Sequence, residues 1–221
     1  MRTLHLAVEP TGESPRPLIS ALVVDALHRR YGHGSVRCVD AEPGRWGLAR
    51  YTQFEVDWPT RRASNGLDLD GRSFDAIIEA AFQDERHIVV HLGEEAAFPF
   101  GVYLETCDGV RLLRQSGRRI VVHYHQRFHH FASGPGYCEL EGVVWIDSPF
   151  YVGRVPGRLA LVRADDLPKI VADEVWALKD RSWQRPLSID GGAECPGLSR
   201  PARVRLRKAA DALFKQLESV L

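Results

Sequence analysis

The sequence predicts an α/β fold: a mostly parallel, twisted sheet with helices on both faces, in a single domain over residues 1–221. Three observations carry that prediction. The apolar runs are short and continuous, as in Ile88–Val90, Ile120–Val122 and Val143–Ile146, which suits strands covered on both sides. Segments with apolar residues at helical spacing separate those runs. Glycine and proline clusters, such as Gly32-His33-Gly34 and Gly134-Pro135-Gly136, punctuate the boundaries.

The first strand is Leu4–Val8, where Leu4, Leu6 and Val8 alternate with His5 and Ala7. A loop over residues 9–17 leads to a helix, Pro17–Tyr31, with Leu18, Ile19, Leu22, Val23, Ala26 and Leu27 at helical spacing. Pro17 suits its first turn. Val36–Val39 is a second strand, ending in the turn Asp40–Gly44. Residues 45–71 have weak periodicity and read as a long loop with one short helix or an extended piece. Phe74, Ile77, Ile78, Ala81 and Phe82 form the stripe of an amphipathic helix.

Ile88–Val90 is a third strand, ending at His91–Glu95, and Phe98–Gln115 is broadly helical. Ile120–Val122 runs into His123-Tyr124-His125, and a histidine-rich connection follows to His130. Val143–Ile146 is the fifth strand and Leu159–Val162 a sixth, at the edge. Asp165–Leu178 carries helical spacing behind an Asp cap, with Pro168 in its first turn. Residues 180–198 are turn-rich. The last helix, Arg200–Leu221, carries a stripe of Val204, Leu206, Ala209, Leu213, Leu217 and Val220.

Composition narrows the function classes. With 29 acidic and 29 basic residues there is no net attraction to nucleic acid. Cys38, Cys107, Cys138 and Cys195 are scattered without a C-x-x-C pair, which favours reduced thiols, and Cys38 on its strand reads as a core thiol. No apolar run approaches the roughly 20 residues of a membrane helix. The start lacks a signal peptide's pattern, so a cytoplasmic protein is expected.

A strand, a tight loop and a helix is the setting in which backbone N–H groups cradle phosphates. Here the loop holds one glycine, Gly12, while Pro10, Pro15 and Pro17 each lack an N–H. Glu9 and Glu13 put negative charge where a polyphosphate would lie. At a separation of about 5 Å and an effective dielectric near 20, each such pair repels by about 3 kcal/mol. Arg16 alone does not offset that.

The order of these parts resembles the ParA/MinD-type P-loop ATPases, and more closely the TraL-type proteins of plasmid conjugation regions. The matching parts are Leu4–Val8, the 9–17 loop, Leu18–Leu27 and Val36-to-Asp40-Ala41-Glu42-Pro43. Ile88–His91, Val143–Ile146, Leu198-Ser199, Arg203–Leu206 and Leu213–Leu217 extend the likeness over nearly the whole chain. The resemblance implies a P-loop NTPase-like three-layer α/β/α fold. The departures fall on its nucleotide chemistry. Thr11 stands at the signature lysine, Arg16 at the phosphate-gripping lysine and Pro17 at the magnesium-binding Ser/Thr. His91 stands at the Walker B aspartate, leaving Asp40, with Glu42 as a longer version of its neighbour. The segment after His125 is shorter than the family's.

The expectation is a pseudo-ATPase that needs no ATP or Mg²⁺, acting on protein partners of a plasmid transfer or partition system. In relatives that dimerise, the contact crosses the nucleotide, so a homodimer here is either lost or constitutive. A second reading keeps weak nucleotide binding, with Gly12 and Arg16 on phosphate and Asp40 with Glu42 on Mg²⁺. A third has His123 and His125, on one face of a strand, binding a transition metal with a further ligand from the same loop or from His91. Each has a plainer counterpart: a solvated turn for Asp40 and Glu42, a polar loop for the histidines. Trp46, Tyr51, Phe54 and Trp58 read equally as core or as a partner-binding surface. The basic run Arg200–Lys208 reads as the wet face of a helix or as a contact for DNA or an acidic partner. No G-x-S-x-G or other nucleophile signature occurs.

Overall fold

The computed structural model describes residues 2–9, 18–41, 48, 55–57, 71–146, 160–163, 200–218 and 220–221. The phosphate-type loop with Gly12 and Arg16, the residues Glu42, Trp46, Tyr51, Phe54 and Trp58, and the helix expected over 165–178 lie outside these.

Seven strands form one parallel sheet. They are β1 (Thr3–Val8), β2 (Val36–Asp40), β3 (Val56–Asp57), β4 (His87–Leu92), β5 (Arg119–His125), β6 (Glu141–Ile146) and β7 (Ala160–Arg163). Among the described residues the α-helices are α1 (Leu18–Tyr31), α2 (Asp75–Gln83), α3 (Glu94–Thr106), α4 (Gly109–Gln115) and α5 (Arg200–Glu218). The spatial order is β3-β2-β4-β1-β5-β6-β7, with β7 at an edge as its sequence implies. The chain therefore steps one way from β1 to β2 and β3, and the other way from β4 over β1 to β5, β6 and β7. Right-handed crossovers in both directions require helices on opposite faces.

The two cores obey that requirement. On one face Leu4, Leu6, Val8, Val90 and Val122 pack on Phe74, Ile77, Phe100 and Leu104 of the α2–α4 layer. On the other, Ala7, Val89, Val121, Val143 and Trp145 meet Ile19, Leu22, Val23 and Leu27 of α1 with Leu213, Phe214 and Leu217 of α5. Each such aliphatic side chain taken from water contributes about 1.5–3 kcal/mol. The helix α1 is apolar on most sides because α5 lies along it: Arg29 reaches Asp211 at 3.0 Å and its guanidinium sits 5.1 Å from the Phe214 ring centre.

Several local expectations need correction. The helix expected over Phe98–Gln115 is two helices, and the first starts at Glu94. Pro99 lies inside α3, whose start is fixed by the Gly93 carbonyl, which accepts from Ala96 and Ala97 at 3.1 and 2.9 Å. Asp108, in the left-handed region at φ 54°, separates α3 from α4. Phe82 sits at the margin of the stripe, one residue before α2 ends, and is 50% exposed. Val204, placed on the α5 stripe, is likewise 50% exposed, whereas Leu213, Phe214 and Leu217 nearer the helix end are buried. The histidine-rich connection contains a 3-10 segment, Gln126–Ser133.

One close approach fixes how the β5–β6 connection seats on α3. A Cβ at Gly136, whose φ is +70°, would lie 2.4 Å from the Gly101 carbonyl oxygen and 2.6 Å from the Leu104 Cβ. A Cβ at Gly101 would in turn lie 2.7 Å from the Pro135 carbonyl oxygen. Only two glycines permit this contact.

Candidate functional site

The change in strand direction lies beside β1, so the crevice for chemistry opens at the carboxyl ends of β1 and β4. Glu9 follows β1 there, and its N–H donates to the Leu92 carbonyl at 3.2 Å. Its side chain turns to the start of α1. Oε2 accepts from the Ile19 N–H at 2.8 Å and Oε1 from the Ser20 N–H at 2.9 Å. The Ser20 hydroxyl also donates to Oε1. The opening N–H groups of a helix have no intrahelical partner and carry about half a positive charge between them. A buried carboxylate placed on two of them is thereby both satisfied and stabilised.

His91 completes this group. Its Nδ1 lies 3.1 Å from Ser20 Oγ and 3.3 Å from Glu9 Oε1. The Ser20 proton is directed to Glu9, and an ionised Glu9 only accepts, so Nδ1 of His91 carries a proton. Asp40, fully buried, stands opposite His91 in the β2–β4 register. Ala7 and then His123 continue the same row across β1 and β5. Asp40, His91 and His123 therefore share the α1-facing side of the sheet.

A second polar group runs along that side. The Trp145 indole N–H donates to His123 Nδ1 at 3.1 Å. Nε2 of His123 is 2.9 Å from His5 Nδ1, Nε2 of His5 is 2.7 Å from Thr3 Oγ1, and Thr3 Oγ1 is 2.7 Å from His87 Nδ1. Indole N–H can only donate. That single fact orients the first two bonds: neutral His123 carries its proton on Nε2 and gives it to His5, and neutral His5 gives its own to Thr3. The Thr3 hydroxyl keeps a proton of its own, with His87 Nδ1 as an acceptor in reach. The acid–base behaviour of the three rings agrees. Burial, then the charge of His123, holds His5 well below the usual histidine value. Burial and the Arg119 charge take His123 down to about 3. Burial also lowers His87.

The carboxyl-end group invites a comparison with phosphate sites. The Ile19 and Ser20 N–H groups are the donors a helix offers an anion, and Glu9 already uses both. A phosphate seated on the same pair would have to displace a buried carboxylate. The chain is 25% identical to Protein TraL of Escherichia coli over 125 residues. That match covers 56% of this chain and 49% of TraL, so the chain spans about half the length of the curated relative. No family model matches the sequence. No solved structure matches it either. The likeness to TraL is partial, and the chemistry of the site rests on the residues themselves.

The histidines grouped by sequence separate in space. Both ring nitrogens of His123 are engaged by Trp145 and His5. His125 instead caps the 3-10 segment, its Nδ1 accepting from the Arg127 N–H at 3.3 Å. His129 Nδ1 lies 2.7 Å from the Gln126 carbonyl, and His130 stacks on Phe131 at 4.6 Å. Among the described residues no group of three or more His, Cys, Asp or Glu could hold a metal ion. Cys38 is buried, as expected of a core thiol, and burial pushes it up to about 12. No helix of the described residues is long and apolar enough to cross a membrane. In α5, Arg200 and Lys208 are exposed.

Sequence reading missed Ser20, His5, Thr3, Trp145 and His87. Its only available signal was polar residues at alternate places in an otherwise apolar strand, Thr3 and His5 with Ala7. Alternation normally marks one wet face. In β1 every residue is buried, and the polar ones are reconciled with burial by bonding to one another.

Proposed function

We propose that this chain is a catalytically degenerate ParA/TraL-like P-loop protein. It acts through protein contacts in the transfer or partition of a plasmid or other mobile element, or in their control. The observation that supports the reading is Glu9, whose carboxylate takes the α1 N–H groups that a nucleotide phosphate would need. His91 adds to it, presenting an imidazole beside Asp40 where the resemblance places a metal-binding carboxylate. The partial likeness to TraL supports the assignment to mobile-element biology. With Glu9 on the α1 N–H groups and His91 in register with Asp40, the reading assigns the work of the chain to contacts with a protein partner.

Calorimetric titration of ATP, ADP and GTP with Mg²⁺ tests the proposal. No binding heat and no hydrolysis are expected. A dissociation constant in the micromolar range, about −8 kcal/mol, or measurable turnover, would overturn it. Affinity capture from the native host should then return a component of a transfer or partition system.

A further inference from the structure

At the opposite end of the sheet, where β1, β4 and β5 begin, a pocket of about 490 Å³ is lined by Arg2, Tyr31, Phe82, Asp84, His87 and Arg118, among others. Its deepest cation is Arg118, 7% exposed. Arg118 donates Nε–H to the Ala81 carbonyl at 2.6 Å, one Nη1–H to the Arg86 carbonyl at 2.7 Å, and an Nη2–H to the Asp84 carbonyl. Carbonyls satisfy hydrogen bonds without cancelling a full charge, and a guanidinium has five N–H groups, so two remain. The acid nearby is committed elsewhere: Asp84 accepts from Arg86 at 2.8 and 3.0 Å and from Arg37 at 3.4 Å. Arg2 is paired to Glu85 at the exposed rim.

His87 adds a second donor. Thr3, having accepted from His5, offers its own hydroxyl proton to His87 Nδ1 at 2.7 Å, and with Nδ1 so occupied the hydrogen of the ring sits on Nε2. The ring itself is braced by Tyr31, stacked at 4.4 Å. Phe82, half exposed, supplies an apolar wall beside these donors. Such a combination of a buried cation hydrogen-bonded to carbonyls, an N–H donor and an exposed aromatic wall matches what small-ligand sites use for orientation and affinity.

We propose that this pocket binds a small carboxylate with an apolar body, its anionic end on Arg118 and His87 and its body against Phe82. The charge balance selects a monoanion: Arg2 is paired with Glu85 and Asp84 with Arg86 and Arg37, which leaves the single positive charge of Arg118, hydrogen-bonded to carbonyls. The apolar wall selects a hydrocarbon group over a bare inorganic ion. The site lies at the far ends of the strands from Glu9 and His91, so the nucleotide titration above neither supports nor harms it.

Benzoate titrated into ¹⁵N-labelled full-length chain tests it. The Gly117 and Arg118 amides and the His87 Nε2–H signal should shift saturably, with a dissociation constant below about 1 mM. Phe82→Ala, at an exposed position that should fold, should weaken benzoate about fivefold, and His87→Gln about tenfold. Arg118→Lys keeps the charge and removes the guanidinium fork, and should weaken benzoate about tenfold. Absence of saturation at 20-fold higher benzoate than that limit would overturn the proposal. So would inorganic phosphate binding as tightly as benzoate, or equal benzoate affinity in Phe82→Ala and His87→Gln.

Discussion

Trp145 donates its indole hydrogen to Nδ1 of His123 at 3.1 Å, and through that bond fixes the proton positions of His123 and of His5 on the neighbouring strand. The relation is directional because tryptophan has nothing to accept with. It makes a set of buried imidazoles into one ordered object.

Replacing Trp145 by Phe removes the donor and leaves His123 Nδ1 buried without one. The expected cost is about 2–4 kcal/mol, combining an orphaned polar atom with lost packing. Long-range ¹⁵N spectra should show pure Nε2–H tautomers for His5 and His123 in the parent chain. In Trp145→Phe the tautomers should mix. A parent chain with Nδ1–H at His123 would contradict the assigned direction.

Acid should destabilise the fold earlier than carboxylate chemistry alone would. His5, His87 and His123 are all depressed in the folded chain, with His123 at about 3, whereas unfolded histidines titrate near 6.5. Between those values the unfolded chain binds more protons, so stability rises with pH across the window and is lost as pH falls below about 6.5. Each group contributes up to about 1.4 kcal/mol per pH unit, and three together up to about 4. Urea midpoints should be flat from pH 7.5 to 8.5 and fall steeply from pH 6.5 to 5.

Glu9→Ala should cost about 2 kcal/mol, since two helix N–H groups, the Ser20 hydroxyl and His91 lose their acceptor. It also opens those N–H groups to outside anions. Sulfate at 50 mM should recover part of the loss in thermal unfolding of the variant, and chloride of equal ionic strength should not. The parent chain should respond alike to both salts.

Gly136→Ala should destabilise by about 3 kcal/mol. The new methyl meets the Gly101 carbonyl oxygen at 2.4 Å, in a backbone conformation with φ of +70° that already disfavours any Cβ. Gly34→Ala, at φ +87° with open space around it, should cost only the conformational share, about 1 kcal/mol. Denaturation curves of the two variants separate the steric part from the backbone part.

The sheet was legible because its strands are continuous apolar runs, and burial on both faces leaves no other use for Ile88–Val90 or Val143–Ile146. Helix limits were harder where two signals competed. The apolar spacing from Phe98 marked the helix, while the backbone starts it at Glu94, where the Gly93 carbonyl takes the first hydrogen bonds. The site was legible in charge and hidden in geometry. Glu9 was marked as an acid at a phosphate-like place, but periodicity cannot tell that its carboxylate reaches Ile19 and Ser20. The histidine row was invisible for a different reason. Its members are 118 residues apart at the His5–His123 step, and only the strand order brings them together.

Strand β1 and the residue after it carry Thr3, His5 and Glu9 on one flank, and β1 carries Leu4, Leu6 and Val8 on the other. Sliding it by a single place along β4 would exchange the flanks. Imidazole would enter a hydrocarbon layer, leucine would sit opposite the indole, and the helix would lose its acid. The polar flank thus works as a key cut along the central strand, admitting one alignment of the sheet and turning every neighbouring one into a visibly worse molecule.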